Sequence, residues 1–296
     1  MNSTCFMAVE SDYRQVIGLL AEDRRMDIIH ALIDHRSQDQ SFNGLTHTEL
    51  YTASSIDDKG NFNYHLDLLL ETVIEKDSGR YDLTQFGELV SGALLAGITP
   101  GAVSSLEVDD SCPGCGSTVF AVFNAGKTVI RCEDGHLLLG SCLPPGTADG
   151  RTGDEVYRLA CRHFQQVIEL SLANVCAKCY GRETGSFEPV DHDDSFPYRY
   201  RTHCHRCGHG FATCPYAMVL RHPATISLCH EHGIDPLALA PWELPFDDVE
   251  QTVVTEDPPL FEVMLSNDDE VLRLHLDRAG TVIETHRERS KIPAAD

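Results

Sequence analysis

The sequence predicts an α+β chain in which helices come first, cysteine-rich β-hairpins follow, and an antiparallel β-meander comes last. Apolar residues in the first hundred positions recur at the three- and four-residue spacing of amphipathic helices. Three pairs of cysteines with two residues between them follow. Beyond residue 252, apolar and polar residues alternate as they do in strands. With 296 residues, the chain is long enough for two or three domains.

The charge composition is unusual. The chain has 23 Lys and Arg residues against 46 Asp and Glu residues, a net charge of −23, and only five of the cations are Lys. An acidic, lysine-poor surface is typical of halophilic proteins, which work in molar salt where the Debye length falls to about 3 Å. Because long-range repulsion from DNA is screened there, the net charge does not exclude DNA binding.

The sequence predicts neither a membrane span nor secretion. No apolar run is long enough to cross a bilayer. The first ten residues lack a basic segment followed by an apolar stretch, so we expect no signal peptide and a cytoplasmic protein. In that compartment, twelve cysteines indicate thiolate metal ligands rather than disulfides.

The first hundred residues predict helices over 13–20 and 22–35, and then two further helices joined by a turn. Thr46 and Glu49 have the spacing of a capping box, which opens a short helix through residue 53. After a turn over 54–58, the next helix begins at an acidic N-cap. Its apolar stripe is formed by Phe62, Leu66, Leu69 and Leu70. The alternative is an ordinary amphipathic helix with a solvated polar face.

The polar face of this helix carries short amides and a phenol near its N-terminus, which suit base edges and phosphates in a major groove. Two short strands around a turn at 77–79 then predict a β-hairpin with cations beside its tip. A helix ending near residue 97 follows. The expected DNA contacts of the helix and the hairpin are Lys59, Asn61, Asn63, Tyr64, Lys76 and Arg80.

This order of elements over 8–100 resembles the ArsR-type winged helix-turn-helix of small prokaryotic transcriptional regulators. The segment Asn-Phe-Asn-Tyr-His-Leu at 61–66 and the pair Leu83-Thr84 after the hairpin are similar to the haloarchaeal version. The resemblance implies a transcriptional regulator that binds double-stranded DNA as a homodimer, with two recognition helices about 34–36 Å apart. Asp67, on the outer face where related helices carry Lys, departs from the pattern, and this region has no metal-sensing cysteine pair.

Over 106–145, the cysteines predict a zinc ribbon built on a hairpin at 119–130. Cys112, Cys115, Cys132 and His136 have the spacing C-x2-C-x16-C-x3-H, in which two thiolates of a knuckle reach one ion. Two alternatives remain open. Cys142 could replace His136 as the fourth ligand, or the second knuckle has decayed and holds no metal.

A second zinc ribbon is predicted over 176–215. Cys176, Cys179, Cys204 and Cys207 have the spacing C-x2-C-x24-C-x2-C, which indicates a closed, structural Zn²⁺ site with four thiolates. The segment between the pairs, 181–202, is polar and is expected to contain a loop. A helix over 151–175, opened by a capping box, joins the two ribbons and is also a candidate dimer surface.

The remaining region, 216–290, predicts a helix and the antiparallel meander. One group of residues could form a further metal site or a catalytic cluster: Cys214, His222, Cys229, His230 and His232. The alternative is a helix over 223–232 whose C-terminal histidines complement its dipole.

Three functions follow, of which the DNA-binding regulator is the leading one. The second is a general transcription factor of the archaeal TFE type, which also joins a winged helix to a zinc ribbon and docks on polymerase and promoter complexes. The third is a metal-dependent enzyme. The sequence favours a non-enzyme, because it contains no nucleophile–base pairing and no phosphate-binding glycine loop. The sequence identifies no effector.

Overall fold

The computed structural model describes residues 13–38, 43–97, 105–124, 127–141, 143–190, 196–236, 239–244, 246–267 and 270–289. The chain divides into two compact units, Met1–Pro100 and Gly101–Asp296. Within the described ranges, no helix has the length and apolar character needed to cross a membrane. Each unit has its own hydrophobic core, so each is described separately.

The first unit combines helices with a small antiparallel sheet whose strand order is β1-β3-β2. The helices are α1 (Tyr13–Leu20), α2 (Asp23–Gln38), α3 (His47–Ala53), α4 (Lys59–Leu69) and α5 (Gln85–Gly97). The strands are β1 (Leu45–Thr46), β2 (Ile74–Asp77) and β3 (Arg80–Leu83). Side-chain caps fix where the central helices begin. Thr46 and Glu49 form the expected capping box of α3, and the Asp58 carboxylate accepts from the Asn61 backbone N–H at the start of α4.

The core of the first unit lies between α2, α3, α4 and the sheet. In α4, Phe62, Leu66 and Leu69 are buried as the stripe predicts, while Leu70 is partly buried. Helix α5 behaves differently. Leu89 remains 63 % exposed, because α5 buries only the side that carries Gly87 and Ser91.

The second unit contains three antiparallel sheets and a central helix. The first sheet consists of β4 (Ser105–Ser111), β5 (Thr118–Asn124), β6 (Lys127–Cys132) and β7 (Leu137–Ser141), in that order. Helix α6 (Gly153–Leu172) follows. The second sheet consists of β8 (Glu183–Pro189), β9 (Tyr198–Cys204) and β10 (Ala212–Thr213). Two short helices come next, α7 (Pro215–Val219) and α8 (Pro223–Glu231).

The predicted C-terminal meander is confirmed as a four-stranded antiparallel sheet. Its strands are β11 (Asp248–Glu256), β12 (Pro259–Asn267), β13 (Glu270–Leu276) and β14 (Val282–Arg289), in sequence order. Phe261, Val263 and Leu265 alternate inward on β12 and are fully buried. The strict alternation arises because one face of the sheet covers the core and the other faces solvent.

The polar segment 181–202 contains a β-hairpin. Strands β8 and β9 occupy most of this segment and pair from Glu183 with Cys204 to Pro189 with Tyr198. The loop that the sequence predicts at 191–194 lies outside the described residues. The two strands bring the second cysteine pair back to the first.

Helix α6 packs within the second unit, which accounts for the apolar stripe that the sequence offers as a dimer surface. Val156 and Ala160 in its first half belong to the core of the first sheet, and Ile168 belongs to the core beneath the meander. Thr152 and Glu155 form its capping box. The stripe is therefore buried against the helix's own unit.

Candidate metal centres and nucleic-acid interface

The first candidate metal centre lies at the end of the β4–β7 sheet. The knuckle after β4 supplies Cys112 and Cys115, and the turn between β6 and β7 supplies Cys132 and His136. The Nδ1 atom of His136 lies 3.6 Å, 3.3 Å and 3.5 Å from the sulfurs of Cys112, Cys115 and Cys132, respectively. All four ligand atoms lie within 4.8 Å of one another.

These distances match a tetrahedral ion. Metal–sulfur bonds near 2.3 Å place two sulfurs of a tetrahedron about 3.8 Å apart, and a metal–nitrogen bond near 2.0 Å places nitrogen and sulfur about 3.5 Å apart. The sulfurs of Cys115 and Cys132 are 3.7 Å apart. His136 therefore occupies the fourth position of this group, and its proposed substitute, Cys142, lies outside the described residues.

The second candidate centre joins the loop after α6 to the loop after β9. The sulfurs of Cys176 and Cys207 are 3.7 Å apart, and those of Cys179 and Cys204 are 3.6 Å apart. Backbone amides stabilise thiolates here: the N–H of Cys207 donates to Cys204 Sγ at 3.5 Å and lowers the pKa of that thiol to about 6. Four protein ligands fill a tetrahedral ion completely, so such a site is structural rather than catalytic.

The other cysteines and histidines that the structure describes do not form a third centre. Among the described residues, only the two groups above gather three or more close ligand atoms. His222 instead caps α8 by accepting from the Ala224 N–H, Cys229 is buried, and His232 lies 3.6 Å from Glu270. Cys161 is also buried, and burial raises the pKa of its thiol to about 12, so it remains protonated.

The predicted DNA contacts on α4 differ in how accessible they are. Tyr64 is 62 % exposed and Lys59 is exposed at the N-terminal end. Asn63 is half-buried, and its Oδ1 lies 2.8 Å from His47 Nε2. The Asn61 amide lies between His65 Nε2, at 2.9 Å, and Arg24 Nε, at 3.2 Å. With its oxygen assigned to the Arg24 side, it donates to His65 and accepts from Arg24.

The two cations of the β2–β3 hairpin are also held by their own unit. Lys76 Nζ lies 4.9 Å from the centre of the Tyr81 ring, a cation–π contact. Arg80 donates to the carbonyl of Gly44 and lies 3.5 Å from Glu49, the carboxylate of the α3 capping box. Both side chains remain exposed.

Three side-chain contacts of this surface were not predicted from the sequence. Arg24 reaches Asn61 from α2, His47 holds Asn63, and Glu49 pairs with Arg80. The Arg24–Arg25 pair and the capping box were visible in the sequence. Because these residues are separate in sequence from α4 and the hairpin, the sequence alone did not indicate that they contact Asn61, Asn63 and Arg80.

The chain was compared with known families, curated proteins and solved structures. Residues 109–282, more than half of the chain, match the domain of unknown function DUF7351. The chain belongs to this family. The DUF7351 match contains both candidate metal centres, and residues 14–94 match a second domain of unknown function, DUF7347. No curated protein and no solved structure matches the chain. Each family match lies within one compact unit.

Proposed function

We propose that the chain is a DNA-binding transcriptional regulator, with an ArsR-like winged helix in its first unit and structural zinc in its second. The observation that carries the proposal is the position of α4. This helix buries Phe62, Leu66 and Leu69 in the core and leaves Tyr64 and Lys59 exposed on its other side. A recognition helix has this arrangement: one face packs on the core of its domain and the other face is exposed and enters the major groove.

The elements around α4 support the same proposal. Helix α3 and α4 are joined by a short turn, and the β2–β3 hairpin follows α4 and pairs with β1 on its other edge. This is the order of a winged helix-turn-helix. The hairpin in this arrangement is the wing, and its cations Lys76 and Arg80 are the candidates for phosphate contacts.

We assign different roles to the candidate contacts. Tyr64 reads base edges, because its ring is 62 % exposed on the side of α4 away from the core, and Lys59 binds a phosphate near the helix N-terminus. Asn61 and Asn63 read bases only if they exchange their contacts with His65, Arg24 and His47 for contacts with DNA. Arg24 then lies beside the groove and joins the candidate phosphate contacts.

The charge of the first unit sets the conditions for binding. Asp57, Asp58 and Asp67 lie on or beside α4 and are exposed. In dilute buffer they repel the phosphate backbone, whereas in molar salt the repulsion is screened beyond about 3 Å and short-range contacts decide. The proposed regulator therefore works at high ionic strength, in the cytoplasm, where thiolates stay reduced.

Zinc is the proposed ion of both centres. The donor sets, three thiolates with one imidazole and four thiolates, are those of structural zinc sites, and the ligand distances fit a tetrahedron. Each zinc ion would cross-link the two ligand loops at the end of its own sheet. Its binding free energy would add to the free energy of unfolding of the second unit.

A homodimer is part of the proposal. The solvent-facing side of α5 carries Phe86 and Leu89, which are 40 % and 63 % exposed. The only charged side chain of α5, Glu88, is paired with Arg36 of α2. An apolar helix face of this kind is the surface that a second copy would cover.

A docking module of the TFE type is the second candidate, and one observation favours it. Both asparagines expected to read bases already have partners in their own unit. A winged helix that binds polymerase or promoter complexes needs no base readout, so these contacts would stay as they are.

The experiment is a selection of binding sites from a random duplex library by the purified, metal-loaded protein at high KCl. We expect an enriched motif with inverted symmetry. The variant Tyr64→Ala should lose discrimination between the motif and its point variants, at about 1–3 kcal/mol for each base that it reads. The control Leu137→Ala, an equally exposed side chain in the second unit, should select the same motif. A library without enrichment would favour the docking module.

A further inference from the structure

The loops of the second metal centre differ from the rest of this acidic chain. Residues 176–182 and 199–209 contain no Asp or Glu, although acidic residues outnumber Lys and Arg two to one in the chain as a whole. The cationic and titratable side chains in these two segments are Lys178, Arg182, Arg199, Arg201, Arg206, His203, His205 and His209.

The metal centre brings these two segments together on one surface. The backbone N–H of His205 donates to the Arg182 carbonyl at 3.1 Å. The stem of Arg206 crosses Gly181 so closely that a Cβ there would lie 3.0 Å from Arg206 Cβ. Lys178, Arg182, His205 and Arg206 are all exposed. We call these four residues, together with Tyr180, the knuckle surface.

The positive charge of segments 176–182 and 199–209 reaches helix α6. Burial lowers the pKa of His163 on α6, and the charges of Lys178 and His209 lower it further. Among the described residues, neither Arg182 nor Arg206 makes an ion pair. In a chain with a twofold excess of carboxylates, two exposed arginines without such a partner are available to an external anion.

The cations are not needed to hold thiolates. The first metal centre gathers three sulfurs and a histidine with a single neighbouring arginine, Arg131, and with Glu133 and Asp134 on the other side of Cys132. A four-thiolate centre carries only one more negative charge than that centre. One neighbouring cation would offset it, whereas the knuckle surface has at least three.

Tyr180 provides the second independent observation. It follows the second cysteine of its knuckle, as Gly116 and Gly208 do in two other knuckles of the chain, and all three residues have positive φ: 54°, 77° and 71°. Glycine adopts this conformation without cost, whereas a bulky side chain is strained in it. The backbone is held there by the Tyr180 N–H, which donates to the Cys176 carbonyl at 2.9 Å.

The ring of Tyr180 is not used for packing. It is 72 % exposed, the highest exposure among the large apolar side chains of the described residues. A position that favours glycine thus carries an aromatic ring presented to solvent beside four cationic or titratable side chains. The strained backbone of Tyr180 gains no packing for its ring, so we interpret the ring as a contact for a ligand rather than as part of the core.

We propose that the knuckle surface binds a single-stranded nucleic acid, with one base stacked on Tyr180 and the backbone phosphates paired with Lys178, Arg182 and Arg206. Stacking on an aromatic ring and pairing of phosphates with cations are the two contacts that single-strand-binding surfaces combine. An acidic peptide would use the cations but has no use for the exposed ring. This site lies in the second unit and is separate from the duplex contacts proposed for α4.

The test measures binding of a fluorescent oligothymidylate to the full-length, metal-loaded chain, starting at the lowest KCl concentration at which the protein stays folded. Tyr180→Gly removes the ring and also the backbone strain, so metal content and resistance to urea should be unchanged or improved. Affinity should nevertheless fall about tenfold, the effect of losing one stacked base.

The charge variant is the double substitution Arg182→Gln, Arg206→Gln. Its plot of log affinity against log salt should be shallower by about 1.4, since each phosphate contact to a single strand contributes ~0.7. The matched control is Arg158→Gln, Arg278→Gln, which removes two exposed arginines elsewhere in the second unit and should bind as the natural chain does. Tyr64→Ala should also leave this binding unchanged, which separates the site from the proposed duplex contacts.

Two results would overturn the proposal. Equal affinities of Tyr180→Gly, the double variant and the control pair would show that the oligonucleotide binds elsewhere or not at all. If polyglutamate displaces oligothymidylate equally well from the natural chain and from Tyr180→Gly, the surface recognises an acidic polymer without bases. Neither result would bear on the selection of duplex sites by α4.

Discussion

At the scale of single residues, the second unit gathers eight candidate metal ligands from distant parts of the sequence into two groups. Their positions could be predicted because three of the four ligand pairs have the spacing C-x2-C and the fourth has C-x3-H, and at these spacings two ligands can reach one tetrahedral ion. Cys161 and Cys229 belong to neither a C-x2-C nor a C-x3-H pair. Both are buried and pack as apolar side chains.

The metal ligands can be separated from the other cysteines by substitution. Cys132→Ser should reduce the metal content from two ions per chain to one, because three remaining donors bind a tetrahedral ion much more weakly than four. Native mass spectrometry measures the ratio. Cys161→Ser, which changes a buried cysteine outside both centres, should keep two ions, and equal losses in the two variants would contradict the assignment.

Two helical glycines should respond oppositely to the same substitution. A Cβ at Gly153 would lie 1.8 Å from the Glu107 carbonyl oxygen, whereas a Cβ at Gly92 has no neighbour within 4 Å. Gly153→Ala should therefore destabilise the second unit by about 1–3 kcal/mol through overpacking. Gly92→Ala should stabilise the first unit by about 0.5–1 kcal/mol. Urea unfolding measures both, and stabilisation by Gly153→Ala would refute the close approach of β4 to α6.

Pairings between distant side chains could not be predicted from the sequence. The pattern of α4 places Asn61 and Asn63 on its polar side, and this is where they lie. That His47 and Arg24 contact them depends on how α2 and α3 cross α4, which residue spacing does not encode. The same holds for Arg80, whose expected position beside the hairpin tip says nothing about Gly44 and Glu49.

At the scale of elements, the helices and the meander could be predicted because each has a regular apolar period and a side-chain cap or turn at its ends. Strands β8 and β9 lack that signal. Phe187 and Tyr200 are among their few buried side chains, and Tyr200 covers Gly185, where a Cβ would lie 2.2 Å from its hydroxyl oxygen. A strand that buries a glycine beneath a neighbour's ring has no alternating pattern to recognise.

Helix α5 is the element on which the proposed dimer depends. Leu89→Glu places a charge at the centre of its exposed apolar face and should convert the dimer to a monomer, because burying an unpaired carboxylate is strongly unfavourable. Sedimentation at high KCl measures the mass. Leu137→Glu, at an equally exposed site in the second unit, should remain dimeric. A natural chain that is already monomeric at all concentrations would contradict the proposed homodimer.

At the scale of the whole molecule, the two units should differ in their need for metal. Both candidate centres lie in the second unit, whereas the first unit has a core of aliphatic and aromatic side chains without a metal group in its described residues. The apparent binding energy of structural zinc, about 10–16 kcal/mol, is as large as the usual stability of a domain, about 5–15 kcal/mol.

Chelation should therefore unfold one unit and spare the other. After treatment with a strong chelator, amide hydrogens in 105–289 should exchange rapidly, while the core amides of α2 and α4 keep their protection. Hydrogen exchange read by mass spectrometry resolves the two units, and re-addition of zinc should restore protection. Simultaneous loss of protection in both units, or retention in both, would contradict this division.

The most direct test of the central claim is to sequence the DNA bound to a tagged copy of the chain in its own cells, beside the double variant Tyr64→Ala, Arg80→Ala. We expect a limited number of sharp sites that share an inverted repeat and disappear in the variant. Broad occupancy of active promoters that the variant largely retains would contradict sequence-specific regulation, and would identify the first unit as a docking module.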